Sequence, residues 1–597
     1  IELITTPGAK YDATTGAVLR ILTRRTEEGI FGKMQVYDKL SEVNTNHEEL
    51  TLGWVTKKIS LTGFYGYTDN RYNVHQPQEA LVRAKDGEYL FGTDRYGKNK
   101  ANYNATELNF DWLLSKQHEV GIQWEGLWLN GCRSEKQQQY YRYPNPAGED
   151  TNREMKLSDA DGEMKYFDAE SQQWGHQRSH DFNLFHLAKW SKHFSSQIYL
   201  DYARNKDSDS QPITEKEGSE MQETLNRSNS NYDIYSGRIE VKQLISDKHS
   251  INYGGEWSLM EGKGKTESSA DMLGTTEYKN HDTKTAAYLQ YQGEAGRWSW
   301  WAGIRYEHVG FDYYEKGKHI DVQSRKFDNI FPSLNINFPI GKTQVQLSYA
   351  GDIARPSYDN LRNNTYYANR YTYQTGNPFL TPTMTQNILL SASYQWLNVS
   401  VGYSRVKDDM MQISENYSEE NPTISLLKVV NTESYDRMTA SLTVAPTVGL
   451  WKPQFTAELY KQWFSIKTHN GMMSLNNPVG TFVWRNNFSL PAGILLDVNA
   501  AYTTCGHNQN MYQQKDACNV SLALYKAFFD NRLSMQLQAN NLLETDDADV
   551  VIYSGIRTMS DYITQFRQVT FTLRYKFNAA KNKYKGTGAG QSQKSRM

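Results

Sequence analysis

The segment Gln568-Val569-Thr570-Phe571-Thr572-Leu573-Arg574-Tyr575-Lys576-Phe577 decides how the rest of the chain is read. Val569, Phe571, Leu573, Tyr575 and Phe577 fall on one side of an extended strand, and Thr570, Thr572, Arg574 and Lys576 on the other. Successive strand side chains point to opposite faces, so this period of two presents one face to an apolar medium and the other to water. The pattern recurs outward along the chain. Leu108, Phe110, Trp112 and Leu114 alternate with Asn109, Asp111 and Leu113, and Ile122, Trp124 and Trp128 with Gln123, Glu125 and Leu127. Leu334, Ile336 and Phe338 alternate with Ser333, Asn335 and Asn337, and Leu533, Met535, Leu537 and Ala539 with Ser534, Gln536, Gln538 and Asn540. The apolar set suits lipid, while the amides, hydroxyls and acids suit a wet lumen. A soluble sandwich would carry more Lys and Glu on its outward face.

Composition points the same way. The 597 residues are only 38% hydrophobic, with a mean hydropathy of -0.74. A soluble chain of this length would split into several domains, each with an apolar core, and no dense apolar runs supply such cores. A transmembrane barrel removes the conflict, because only alternate residues meet lipid. The 41 tyrosines and 14 tryptophans fit aromatic girdles at the two lipid–water boundaries. A net charge of -2 argues against a nucleic-acid partner, which needs clustered Lys and Arg. No run approaches the ~18 apolar residues of a membrane helix.

Short and long connections take turns. The short ones include residues 57–58, 115–118, 191–192, 293–296, 339–342, 491–493 and 530–531. Between them lie polar stretches at 71–98, 131–175, 205–227, 262–278, 351–379 and 544–563, read as long loops. Short periplasmic turns and long external loops are the layout of an outer-membrane barrel. The expected fold is all-β: a transmembrane antiparallel barrel of about 22 strands, a size that implies a plugged lumen. Residues 421–446 read as one strand or two. The barrel is assigned to residues 27–577, with 1–26 and 578–597 outside it. The final stretch carries Lys581, Lys583, Lys585, Lys594 and Arg596, no acid, and Gly586, Gly588 and Gly590. It reads as a basic disordered tail. Ile1 is no start methionine and no leader precedes it, so the chain reads as the C-terminal part of something longer.

Particular residues then resemble a family. Ile1-Glu2-Leu3-Ile4-Thr5-Thr6-Pro7-Gly8-Ala9-Lys10-Tyr11-Asp12, followed by Gly16 and Leu19-Arg20-Ile21-Leu22-Thr23, looks like the end of the plug domain of TonB-dependent receptors. Arg355-Pro356-Ser357-Tyr358, Tyr371-Thr372-Tyr373 and Gly376-Asn377-Pro378-Phe379-Leu380-Thr381-Pro382 resemble the region around that family's seventh external loop. Asn540-Asn541-Leu542-Leu543 and the aromatic finish at Phe577 are similar to its barrel end. The resemblance implies an outer-membrane location in a Gram-negative bacterium. It also implies energised uptake of a scarce solute such as a siderophore, glycan or peptide. The implied partners are the TonB complex, reached through an N-terminal segment not seen here, an extracellular ligand, and outer-membrane lipid. A passive pore and a surface-binding barrel are the alternatives, and the plug-like residues 1–25 argue against the pore.

Candidate sites follow from residue chemistry. Gly376-Asn377-Pro378 reads first as turn architecture, since Asn before Pro is pushed extended and Gly supplies positive φ. Tyr366, Tyr367, Arg370, Tyr371 and Tyr373 are the candidate ligand-binding residues; rings at a mouth either pack as a girdle or stack on a ligand while offering hydroxyls. Asp207, Asp209, Glu215 and Glu217 match no calcium-loop spacing and read as a solvated acidic loop, as do Asp546, Asp547 and Asp549. No catalytic motif, metal-ligand spacing or cofactor fingerprint is present. Cys505 and Cys518 flank residues 506–517 at the mouth ends of adjacent strands. Directly opposed, their Cα atoms would be about 5.5 Å apart, within disulfide reach in an oxidising compartment. A bridge and two unpaired thiols are the two readings, with Cys132 free in both.

Overall fold

Antiparallel pairing runs without a break around a closed wall of 22 principal strands. The computed structural model describes residues 2–4, 7–20, 28–84, 87–145, 164–270, 273–421, 424–468, 471–578 and 588–597. The ring closes where Gln568–Phe577 meets Gly29–Leu40, with Gly32 opposite Phe577 and Leu40 opposite Val569. The same strand pairs on its other edge with Leu533–Asn540. The alternation resolves as expected. Leu108 and Trp112 are 47% and 45% exposed on the outside, whereas Asn109 and Asp111 are 2% and 4% exposed inside. Met535 and Leu537 likewise face outward, and Ser534 inward. Of residues 421–446, only Tyr435–Val444 joins the wall, while Ser425–Asn431 belongs to a separate sheet.

The polar stretches read as long loops are mostly not loops. Ile59–Ala84, Gly87–Leu113 and His118–Asn145 continue as single strands of 26, 27 and 28 residues. Met164–Lys189, Phe194–Glu217 and Glu220–Ser246 extend the same tall side of the wall. Backbone N–H and C=O groups satisfy one another in the ladder whatever the side chains are, so pairing persists above the lipid where apolar periodicity has faded. Residues 351–379 behave differently and turn inward. Tyr358, Leu361 and Leu380 pack against the wall residues Ile234, Met260, Phe311 and Tyr313 in the largest apolar cluster of the lumen.

Beside that cluster lies a set of buried charges. The segment holding Asp12 is threaded into the lumen, where the Ile353 N–H donates to the Ala13 carbonyl at 3.0 Å. The Asp12 carboxylate bonds to Lys284, whose Nζ also reaches Glu256 Oε1 at 2.9 Å. Arg305 Nη2 meets Glu256 Oε2 at 3.1 Å, and its Nε meets Glu307 Oε1 at 2.6 Å. Arg355 pairs with the same Glu307. Three carboxylates thus face three cations, with Lys284 1% and Glu307 0% exposed. Buried charges are tolerable only when matched in this way.

The basic tail corrects its sequence reading. Residues 579–587 lie outside the described residues, but 588–597 are packed inside the barrel around a short helix, Gln591–Lys594. Lys594 Nζ reaches Asp181 at 3.0 Å, and Arg596 pairs with Asp282. The Arg596 guanidinium lies 4.2 Å from the Tyr358 ring centroid, and its Nε donates to the Pro356 carbonyl at 2.9 Å. Acids spread over separate wall strands supply the counter-charges that the tail itself lacks. The Cys505–Cys518 bridge is not formed: all three cysteines are unpaired. The register sets Cys518 opposite Tyr502, and Cys505 lies past the last paired residue of its strand, with its N–H on Asp516.

Two outcomes follow. Leu537→Arg should lower folding stability in phospholipid by about 2–4 kcal/mol, while Gln538→Arg, facing the lumen, should have a much smaller effect; equal losses in urea titrations would contradict the facing given above. Lys284→Met should cost about 3–5 kcal/mol by stranding Asp12 and Glu256, and Asp12→Leu in the same chain should recover part of that loss. A neutral single variant would show that the charges are not buried together.

Candidate functional site

At the end of the barrel opposite the short turns, a four-stranded sheet lies across the opening. Its order is Thr365–Asn369, Thr372–Thr375, Ser425–Asn431 and Met410–Asn416. The middle pair is parallel, with Thr372 opposite Ser425. Asn377 anchors the sheet to the chain that feeds it: its side-chain amide donates to the Val429 carbonyl at 2.8 Å, and its N–H donates to the Asn360 carbonyl at 2.6 Å. Its Oδ1 accepts from the Phe379 N–H at 3.0 Å. Gly376 permits the approach, since a Cβ there would stand 2.2 Å from the Arg362 carbonyl oxygen. A turn forms as expected, with the Leu380 N–H donating to the Asn377 carbonyl at 3.3 Å, but Gly376 does not adopt the positive φ expected of it; the close approach of Arg362 is what requires glycine there.

The five candidate binding residues divide. Tyr367 and Tyr373 are buried, with ring centroids 5.6 Å apart, and Tyr373 meets Tyr417 edge-on at 4.8 Å. The Tyr367 hydroxyl donates to Glu215, and burial followed by that carboxylate raises its phenol well above the ordinary range. These two rings hold the sheet to the wall. Tyr366 accepts from Arg362 Nη1 at 3.0 Å, and Arg362 Nη2 reaches the Tyr232 hydroxyl at 2.9 Å. Arg370 is committed to Glu217 by an ion pair, and its backbone N–H to Glu215 at 3.2 Å. Although burial opposes it, the Glu215 and Glu217 charges raise Arg370 above its usual value. Glu215 is therefore no solvated loop acid; it is buried on a strand and fastens the mouth sheet.

Tyr371 alone of the five turns toward a crevice between the sheet and the tall wall. Its ring lies 4.9 Å from Phe91, 5.1 Å from Tyr141 and 5.7 Å from Phe167. Thr93, Gln139, Tyr140, Asn369, Ser425 and Arg557 are among the other residues that line it. These groups offer aromatic faces, hydroxyls, amides and one guanidinium, a set suited to holding a solute by stacking and hydrogen bonds. Among the described residues, no cluster of His, Cys, Asp and Glu could hold a metal ion. Phe91, Phe167 and Arg557 come from three wall strands far apart in sequence, and no local motif marks them.

The comparisons agree with this architecture. A point mutant of the ferric enterobactin receptor PfeA from Pseudomonas aeruginosa, solved with enterobactin, superposes with a TM-score of 0.58 at 13% identity, covering 96% of this chain and 85% of that one. The siderophore receptor PirA from the same organism gives 0.56 at 12% identity, covering 93% and 82%. The FrpB iron transporter from Neisseria meningitidis gives 0.55 at 12% identity, covering 92% and 82%. At these identities the likeness concerns the fold. No curated protein sequence matches the chain. Residues 190–575 match the model of one family across most of the barrel, and on that match the chain belongs to the outer membrane protein beta-barrel family.

Proposed function

We propose that this chain is the barrel of a TonB-dependent receptor in the outer membrane of a Gram-negative bacterium, importing a scarce solute into the periplasm. The observation that carries the reading is an opening roofed by a sheet above a lumen already occupied. Residues 7–15, the inward-turned stretch holding Tyr358 and Leu361, and the tail at 588–597 all lie within the wall. A passive pore gains nothing from such filling, whereas a gated importer needs it. On this reading residues 1–26 are the end of a plug domain, 27–577 the translocation barrel, and Asp12 the latch between them. Binding and translocation, with no catalytic step, are the activity. The structural neighbours, a siderophore receptor, a ferric enterobactin receptor and an iron transporter, support a receptor-type role without naming this protein's solute.

Uptake assays separate the readings. Cells producing the protein with its natural upstream sequence should be offered labelled ferric siderophores, a peptide and an oligosaccharide. Accumulation of one class should collapse when TonB is deleted or a protonophore is added. Entry of all small solutes regardless of TonB would make the protein a pore. Tight surface binding with no accumulation would make it a binding barrel.

A further inference from the structure

We propose that the crevice beneath the mouth sheet is a subsite for an oxyanion, carboxylate or phosphate, carried on a flat apolar body. Arg557 sits in it as a cation with no counter-charge among the described residues. Every other cation so far described at the mouth is matched: Arg370 by Glu217, Arg362 by Asp359 and two phenols. Arg557 has no ion pair among the described residues. Its Nη2 reaches only the weakly accepting Met559 sulfur at 3.6 Å, and its Nε has no partner. Ser425 lines the same crevice, is 1% exposed, and its hydroxyl is likewise unpartnered. Buried polar groups are normally satisfied, and two unspent ones converging on one cavity mark the place of a missing acceptor.

The chemistry of that acceptor follows from the donors. A guanidinium is a planar fork that grips two oxygens of a carboxylate or phosphate at once, and a hydroxyl beside it supplies a third bond. Burial lowers the Arg557 guanidinium to about 10, so it remains charged at neutral pH. The backbone holds it firmly, because Arg557–Ile563 pairs with the extended strand Ile59–Ala84, Arg557 opposite Val82. Phe91 and Tyr371 then form an aromatic wall beside the charge, their ring centroids 4.9 Å apart, with the buried Phe167 behind them and Arg370 against its ring. Such a wall selects a flat apolar body attached to the anion. The cavity itself is only about 30 Å³, room for the anionic head and little more. The rest of the ligand must project along the aromatic face.

This deepens the receptor reading and rests on it for its biological setting, but it is tested without energised transport. The purified full chain in detergent would be titrated with benzoate, phenyl phosphate, benzamide and benzylamine, followed by calorimetry and saturation-transfer NMR. At least one oxyanion should bind roughly tenfold or more tighter than neutral benzamide, and benzylamine weakest, as expected for a charge-assisted bidentate contact. Arg557→Gln should abolish that preference, Arg557→Lys should keep part of it, and Ser425→Ala should weaken it less. Heat-modifiability on gels confirms that each variant remains a folded barrel, and should Arg557→Gln not fold, Arg557→Lys and Ser425→Ala carry the test. Equal binding of benzoate, phenyl phosphate and benzamide, or an unchanged preference in the folded variants, would overturn the proposal while leaving the uptake assays to judge the receptor reading. Preference between benzoate and phenyl phosphate identifies the head group.

Discussion

In hydrocarbon no water is available to a peptide group, and an unsatisfied N–H or C=O costs several kcal/mol. That constraint shapes everything else in this chain. A sheet meets it only by closing on itself, which here means joining Gln568–Phe577 to Gly29–Leu40 across the whole length of the sequence. Closure then dictates an apolar exterior and a polar interior. Because the ladder is indifferent to side chains, it also lets strands such as His118–Asn145 run well beyond the membrane with Gln, Arg and Tyr at successive positions.

A polar interior this wide has to be filled, and charge does much of the filling. Asp12, Glu256 and Glu307 face Lys284, Arg305 and Arg355, joining a segment near one end of the sequence to three wall strands and the inward loop. The tail arrives from the other end and is held by Asp181 and Asp282. The balance of signs suggests why these pieces stay together, since removing any one leaves a buried charge exposed to a poor dielectric. They are held by ion pairs and hydrogen bonds together with apolar packing, as at Tyr358, Ala13 and Ala589.

The mouth shows the same division between groups that are spent and groups that are not. Tyr367, Tyr373, Arg362 and Arg370 are consumed in fastening the sheet to the wall through Glu215, Glu217 and Tyr232. Ser425 and Arg557 are left facing one crevice, beside a Tyr371 ring whose hydroxyl is bonded to Tyr141. Residue type alone did not distinguish the two sets, because a tyrosine packs and a tyrosine stacks with the same ring.

Much of the fold was legible from residues 568–577 and their echoes, because a period of two on a lipid face is a local property, readable wherever successive residues meet different media. Strand number, the short turns and the outward facing of Leu108, Trp112, Met535 and Leu537 all follow from it. The turn at Gly376-Asn377-Pro378 was legible from Asn before Pro, whereas its glycine is required by the approach of the Arg362 carbonyl and not by the positive φ expected. What the sequence could not yield were pairings across it. The height of the wall depends on backbone bonds that leave no side-chain signature. The burial of the tail depends on acids hundreds of residues away, and the unpaired thiols of Cys505 and Cys518 on a register set by neighbouring strands. That Arg557 meets no counter-charge among the described residues is decided by what surrounds it, and only the tertiary structure brings that to light, since charge pairing is a relation between elements and not a property of any one of them.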